Sequence, residues 1–90
     1  MKHNRTDILI ALKKAKSLLE KIIKMSETDA YCIDIMQQNL AVIGLLRSAH
    51  QGLMEDHLQS CFSEAIASKN QTKKRKMIEE ILKVMRLYNK

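Results

Sequence analysis

The sequence predicts an all-α protein, and three observations carry that prediction. The 90 residues include no proline and only two glycines, which leaves almost nothing from which to build turns or strands. The apolar content is carried by Leu, Ile, Met and Ala, with one Phe, two Tyr and no Trp. Apolar residues also recur every three or four positions, the period of one helix face. A chain of this length makes one domain, residues 1–90, and its own core is modest, so oligomerisation is expected to supply the remaining burial.

Three helices are expected, over about 6–26, 29–67 and 73–88. Thr6 or Asp7 can cap the first, whose stripe is Ile8, Leu12, Ala15, Leu19 and Ile22, widened by Leu18 and Ile23. Lys13, Lys14, Lys16, Lys21 and Lys24 lie off that stripe. Ser26 to Ala30 reads as a connector in which Thr28 or Asp29 caps the second helix. That helix presents Cys32, Ile35 or Met36, Asn39, Val42 or Ile43, Leu46, Ala49 or His50, and Leu53. Ala41 and Gly44 would admit a close helical neighbour. The second helix is long for a globular domain, so it needs apolar partners along most of its length. A polar break over 68–72 precedes the third helix, which carries Met77, Ile78, Ile81, Leu82, Met85 and Tyr88 on one side. The methionines at 25, 36, 54, 77 and 85 fall at helical spacing and read as core.

The second helix carries three metal-ligand types: Cys32, His57 and Cys61. His57 and Cys61 are four apart, so on an α-helix they stack one turn from each other. Cys32 precedes His57 by 25 residues, or ~2500° of helical rotation, within ~20° of a whole number of turns. It therefore points to the same side, but a rise of ~1.5 Å per residue places it about 37 Å away. A continuous helix cannot close the set within one chain, whereas a sharp break near Gly44 or Gly52 could. An antiparallel copy brings Cys32 of one subunit opposite the His57/Cys61 pair of the other, and a two-fold axis makes two such sites. Two thiolates with one imidazole suit Cu(I) and Zn(II), and structural zinc normally takes a fourth protein ligand. Three ligands in a dry interface form a natural trigonal Cu(I) site. Core cysteines beside a surface histidine are the bland reading of the same residues. His50 reads as a packed or interface histidine and His3 as inert.

Charge divides the chain in three. Residues 1–25 hold seven Lys/Arg against two acids, residues 26–64 hold one against six, and residues 65–90 hold eight against two. Two basic segments flanking an acidic helix suggest polyanion contact outside and cation binding inside; solvated lysines on a soluble oligomer are the alternative. Lys73, Lys74, Arg75 and Lys76 open the third helix, where the helix dipole disfavours positive charge. Glycine-rich phosphate loops, nucleophile–histidine–acid arrangements and matched catalytic carboxylates are absent from the sequence, so no enzyme is expected. The polar opening residues do not resemble a signal peptide, and no apolar run reaches membrane length. Thiols in a reducing cytoplasm are the expected state of the two cysteines.

Tyr31-Cys32-Ile33-Asp34-Ile35-Met36 with Gln38, then Ala41-Val42, then Leu53 to Leu58 with Cys61, and Ala65-Ile66 closely resemble the CsoR/RcnR group of small bacterial metal-responsive repressors. The resemblance covers about residues 8–88. It implies a three-helix subunit, an antiparallel four-helix-bundle dimer and a dimer of dimers (a homotetramer). The Cys–His–Cys set is similar to that of the copper(I)-sensing branch, whereas the nickel/cobalt branch would place His at Cys61. The implied function is a Cu(I)-responsive repressor that leaves operator DNA when copper binds. One Cu(I) per subunit would be held by Cys32 of one subunit with His57 and Cys61 of the other. Tyr31 and Glu80 resemble the residues that orient His57. DNA contact is implied for Lys13, Lys14 and Lys16 and for Lys73, Lys74, Arg75 and Lys76, without a helix-turn-helix. The sequence departs from the copper sensors in its first helix. Ala11 and the run Ala15-Lys16-Ser17-Leu18 stand where those sensors usually carry arginine and an Arg-x-x-Gly-Gln-like stretch, and lysine lacks the bidentate geometry of guanidinium. Two alternatives remain: a persulfide- or thiol-responsive repressor of the same family, and a copper-binding helical oligomer that has lost DNA binding.

Overall fold

The computed structural model describes residues 3–90, with side chains from Arg5 onward. Among these residues the elements are α1 (His3–Glu27), α2 (Cys32–His57), a π-helical turn (Leu58–Phe62), α3 (Ser63–Ala67) and α4 (Gln71–Tyr88), with no strand. With α2, the π turn and α3 counted as one run, this is the expected three-helix, all-α subunit. No helix among the described residues is long and apolar enough to cross a membrane. The chain divides into two compact units, one ending at Asp56 and the other His57–Lys90.

In the first unit α1 and α2 pair through matched heptads. On α1 the inward positions are Ile8, Ala11, Ala15, Leu18, Ile22 and Met25; on α2 they are Ile35, Gln38, Val42, Leu45, Ala49 and Gly52. Small residues dominate the tightest part, where Ile8, Ala11 and Ala49 form one buried cluster. A Cβ placed on Gly52 would lie 2.8 Å from Ile8 Cγ1, so only glycine lets α1 approach this closely. Arg5 Nε donates to Asp56 Oδ2 at 2.7 Å beside that contact. Pairs of this kind with one exposed partner contribute about 0–1 kcal/mol.

The structure alters several expectations for this unit. α1 begins at His3, so Thr6 and Asp7 lie inside it and cap nothing; the side chain of His3 lies outside the described residues. Leu12 and Leu19, expected inside, are exposed, because the heptad is anchored on Ala11 and Ala15. Thr28 and Asp29 end α1 and do not start α2. Thr28 Oγ1 donates to the Lys24 carbonyl at 2.9 Å, Asp29 takes φ 57°, and Ala30 N–H reaches back to the Met25 carbonyl at 3.0 Å. A left-handed residue followed by a bond reaching five residues back is a Schellman-type ending. The Tyr31 carbonyl instead accepts the first bonds of α2, from Asp34 and Ile35. Gly44 and Gly52 both lie within α2, which does not break at either. Gly44, expected at a close helix contact, meets nothing within 4 Å of an added Cβ.

A second stripe on α2 is left open in the single chain. Met36, Ile43, Leu46 and Leu53 are exposed, and with Cys32, Asn39, His50 and His57 they repeat at heptad spacing one residue beyond the buried set. The methionines do not form a core within one chain: Met36 and Met85 are exposed, and Met25, Met54 and Met77 are half-buried.

In the second unit, α3 contacts both the π turn and α4. Ala65 is fully buried. α4 starts at Gln71, two residues before the expected position, because Asn70 Oδ1 accepts from Lys73 N–H at 3.1 Å and caps it. Lys74, Met77 and Ile81 are half-buried, while Ile78, Leu82, Met85 and Tyr88 remain exposed.

Two glycine substitutions should part in sign. Gly52→Ala overpacks the Ile8 contact at a cost of about 1–3 kcal/mol, only partly offset by ~1 kcal/mol of gained helix propensity; its Tm should fall. Gly44→Ala meets open space and should raise Tm, gaining ~0.5–1 kcal/mol. Thermal unfolding followed by circular dichroism distinguishes these outcomes from a close helix contact at Gly44, for which its Tm would fall as well.

Candidate metal centre

Cys32 is the first residue of α2 and His57 the last. An unbroken helix of 26 residues holds such ends about 37 Å apart along its axis at ~1.5 Å per residue. Both cysteines are free thiols and exposed in the single chain. Among the described residues no three His, Cys, Asp or Glu side chains of one chain converge on a point that could hold a metal ion.

His57 and Cys61 fall in the same unit, but the backbone joining them is not the α-helix assumed from the spacing. Residues Leu58–Phe62 form a π-helical turn, in which hydrogen bonds run from i to i+5 and the turn holds an additional residue. Backbone angles stay right-handed helical on both sides, at φ −64°, ψ −44° for His57 and φ −59°, ψ −42° for Ser63. Two serines flank Cys61 within the turn's reach. Ser60 Oγ donates to Cys61 Sγ at 3.9 Å, and Ser63 Oγ donates to the Leu58 carbonyl at 2.7 Å. Neither serine was singled out by sequence, because a π turn has no periodic signature.

Of the residues expected to orient His57, Tyr31 is exposed just before α2 and Glu80 is exposed on α4. His50 is half-buried on the open stripe of α2.

The lysines of α1 do not act as one group. Lys13 and Lys14, with Ser17, Leu18, Lys21 and Leu45, line an open groove between α1 and α2. Lys16 does not line it. It falls four residues after Leu12 and three before Leu19, on the exposed apolar side of α1. Ala11 and Ala15, the positions at which copper sensors of the resembled group carry different residues, are buried against α2. A long charged side chain there would have to leave a small-residue seam, so the departure in the sequence matches the packing. On α4, Lys73, Arg75 and Lys76 are exposed, while Lys74 is half-buried.

Comparison with known proteins gives a consistent set of matches. The model of a family described as metal-sensitive transcriptional repressors matches residues 4–87. A copper-sensing transcriptional repressor CsoR from Mycobacterium ulcerans is 43% identical over 70 residues, which cover 73% of this chain and 60% of that protein. CsoR of Bacillus subtilis is 33% identical over 79 residues, 88% of this chain and 75% of that protein. Among solved structures, the copper-sensing repressor CsoR with Cu(I) from Geobacillus thermodenitrificans superposes with a TM-score of 0.85 at 28% identity, covering 100% of this chain and 91% of that one. The chain spans 60% of the length of the Mycobacterium ulcerans protein and 46% of the Mycobacterium tuberculosis one.

Proposed function

We propose that this chain, which belongs to the metal-sensitive transcriptional repressor family, is a cytoplasmic Cu(I)-responsive repressor that binds operator DNA as an oligomer and leaves it when copper binds. The observation that carries this reading is the placement of Cys32 and His57 at opposite ends of one unbroken helix, with no ligand triad formed by one chain among the described residues. Both residues sit on the open heptad stripe of α2. An antiparallel copy laid along that stripe buries Met36, Ile43, Leu46 and Leu53 and sets Cys32 of each subunit against His57 and Cys61 of its partner. One seam thus supplies the dimer contact and two metal sites, and the apolar surface left on α1 and α4 gives a tetramer further area to bury.

The donor set fits Cu(I). Bound copper would supply a soft cationic centre suited to two thiolates and one imidazole, which Cys32, Cys61 and His57 would provide. To hold it, Cys32 and Cys61 would each give up a thiol proton, and His57 would present one ring nitrogen while its other nitrogen needs a partner. Tyr31 and Glu80 are assigned that orienting role by resemblance. Copper-sensing relatives and a Cu(I)-bound structural neighbour support copper as the ligand.

For DNA, Lys13, Lys14 and Lys21 on the α1 groove and Lys73, Arg75 and Lys76 on α4 supply phosphate contacts, whose strength falls with salt. Lys16 is assigned a lesser part because it stands among exposed apolar residues. Closing the ligand set draws the two α2 helices into one geometry, and the coupling to DNA is reciprocal, typically 1–3 kcal/mol.

Mixing two inactive variants tests the shared site. Cys32→Ser and Cys61→Ser should each bind no tight Cu(I) in an anaerobic chelator competition. Co-refolded together, their mixed dimers should regain one site per dimer, because one intact set survives. No recovery on mixing would exclude the intersubunit arrangement. Cu(I) should also weaken operator binding in a mobility shift by the same factor by which operator DNA weakens Cu(I) binding; independent binding of the two would rule out the repressor mechanism.

A further inference from the structure

We propose that Ser63 is a positioning residue for the metal site: its hydroxyl holds the π turn that sets where Cys61 points relative to His57. The proposal rests on the Cu(I) reading above. In an α-helix a serine hydroxyl bonds back to the carbonyl three or four residues earlier. Ser63 Oγ instead reaches the carbonyl of Leu58, five residues earlier, at 2.7 Å. That reach requires the widened turn, and the hydroxyl in turn satisfies a carbonyl inside it. The backbone N–H of Ser63 also contacts the Ser60 carbonyl, and the hydroxyl adds a short bond across the full span of the turn to the i-to-i+5 backbone pattern.

The consequence falls on Cys61. Inserting one residue into a helical turn sets everything beyond it back by up to ~100° relative to an uninterrupted α-helix. Cys61 is the fourth of the five π-helical residues, so most of that rotation accrues between the two ligands. If the turn relaxed to α, His57 and Cys61 would remain four apart in sequence, but Cys61 would swing around the helix axis. A site completed by Cys32 from a second chain would depend on that rotation, because it sets how far apart the Cys61 thiol and the His57 ring stand. No ligand is changed by this device; the backbone between two ligands is.

The test compares wild-type protein with Ser63→Ala, Ser63→Thr and Ser63→Val. Thr keeps the hydroxyl and Val is its isostere without one, so that pair carries the test if the Ala variant folds poorly. In metal-free protein, removal of the hydroxyl should alter backbone carbon chemical shifts and amide exchange across 58–63 while total helicity is kept. Cu(I) affinity in chelator competition should fall roughly ten- to a hundredfold, as for groups that orient metal ligands, and X-ray absorption should show fewer than three protein donors. Thr should behave as wild type. Unchanged shifts, affinity and coordination in both Ala and Val variants would overturn the role of Ser63 and leave the copper reading intact. A wild-type protein with no Cu(I) affinity would overturn both.

Discussion

An α-helix lengthens by ~1.5 Å for each residue added, and that fixed increment governs most of what this chain can do. Between Cys32 and His57 it accumulates a separation that no rotamer can span. In the proposed copper site two of the donors would stand at one end of the helix and the third at the other, so a chain alone would be chemically incomplete. Incompleteness of this kind would make oligomerisation a condition of the proposed chemistry as well as a source of stability. It also means that a bound metal would report on the arrangement of two helices and not on the conformation of one. A sensor needs that property, since a ligand shifts an equilibrium only when it interacts differently with the alternative states.

The α1–α2 seam sets up the same outcome from the packing side. Ala11, Ala15, Ala49 and Gly52 bring the two helices close but bury little apolar area per residue, at roughly 25 cal/mol per Å². Several larger side chains, Leu12, Leu19, Met36, Ile43, Leu46 and Leu53, fall on the adjoining faces, where they stand exposed. The second copy proposed above would cover these exposed large side chains. The seam also explains why the first helix carries alanines at two positions for which the family resemblance suggests other residues: those side chains face α2.

How much of this was legible in the sequence follows from what periodicity can and cannot encode. The all-α class, the three helical runs and the long separation of Cys32 from His57 all follow from period and rise alone. The sidedness of α2 does not. Its sequence carries two apolar heptads offset by one residue, Ile35/Val42/Ala49 and Met36/Ile43/His50, and the pattern alone left each pair open. Packing against α1 decides it, assigning the first set to the intrachain seam and the second to the open stripe. The turn that closes α1, with Asp29 at positive φ, is ambiguous in the sequence because an aspartate can either cap a following helix or take a left-handed φ after the preceding one. The π turn has no trace in the sequence: His57 and Cys61 have ideal α spacing, and only the backbone of the folded chain shows the widened turn.

The start of α4 shows how the fold accommodates its charge. No acidic residue lies in its first turn, and Lys73, Lys74, Arg75 and Lys76 crowd an end where the helix dipole already presents positive potential. Each such cation costs ~0.3–1 kcal/mol at low salt. Asn70 offsets part of this by accepting a hydrogen bond from Lys73 N–H, a cap of about 1 kcal/mol. The remaining imbalance is removed by any polyanion laid across this end, because phosphate oxygens meet both the lysines and the unpaired N–H groups of the helix terminus. In the proposed repressor, operator DNA is that polyanion, and the charge that weakens the free helix becomes the part of its surface with most to gain on binding.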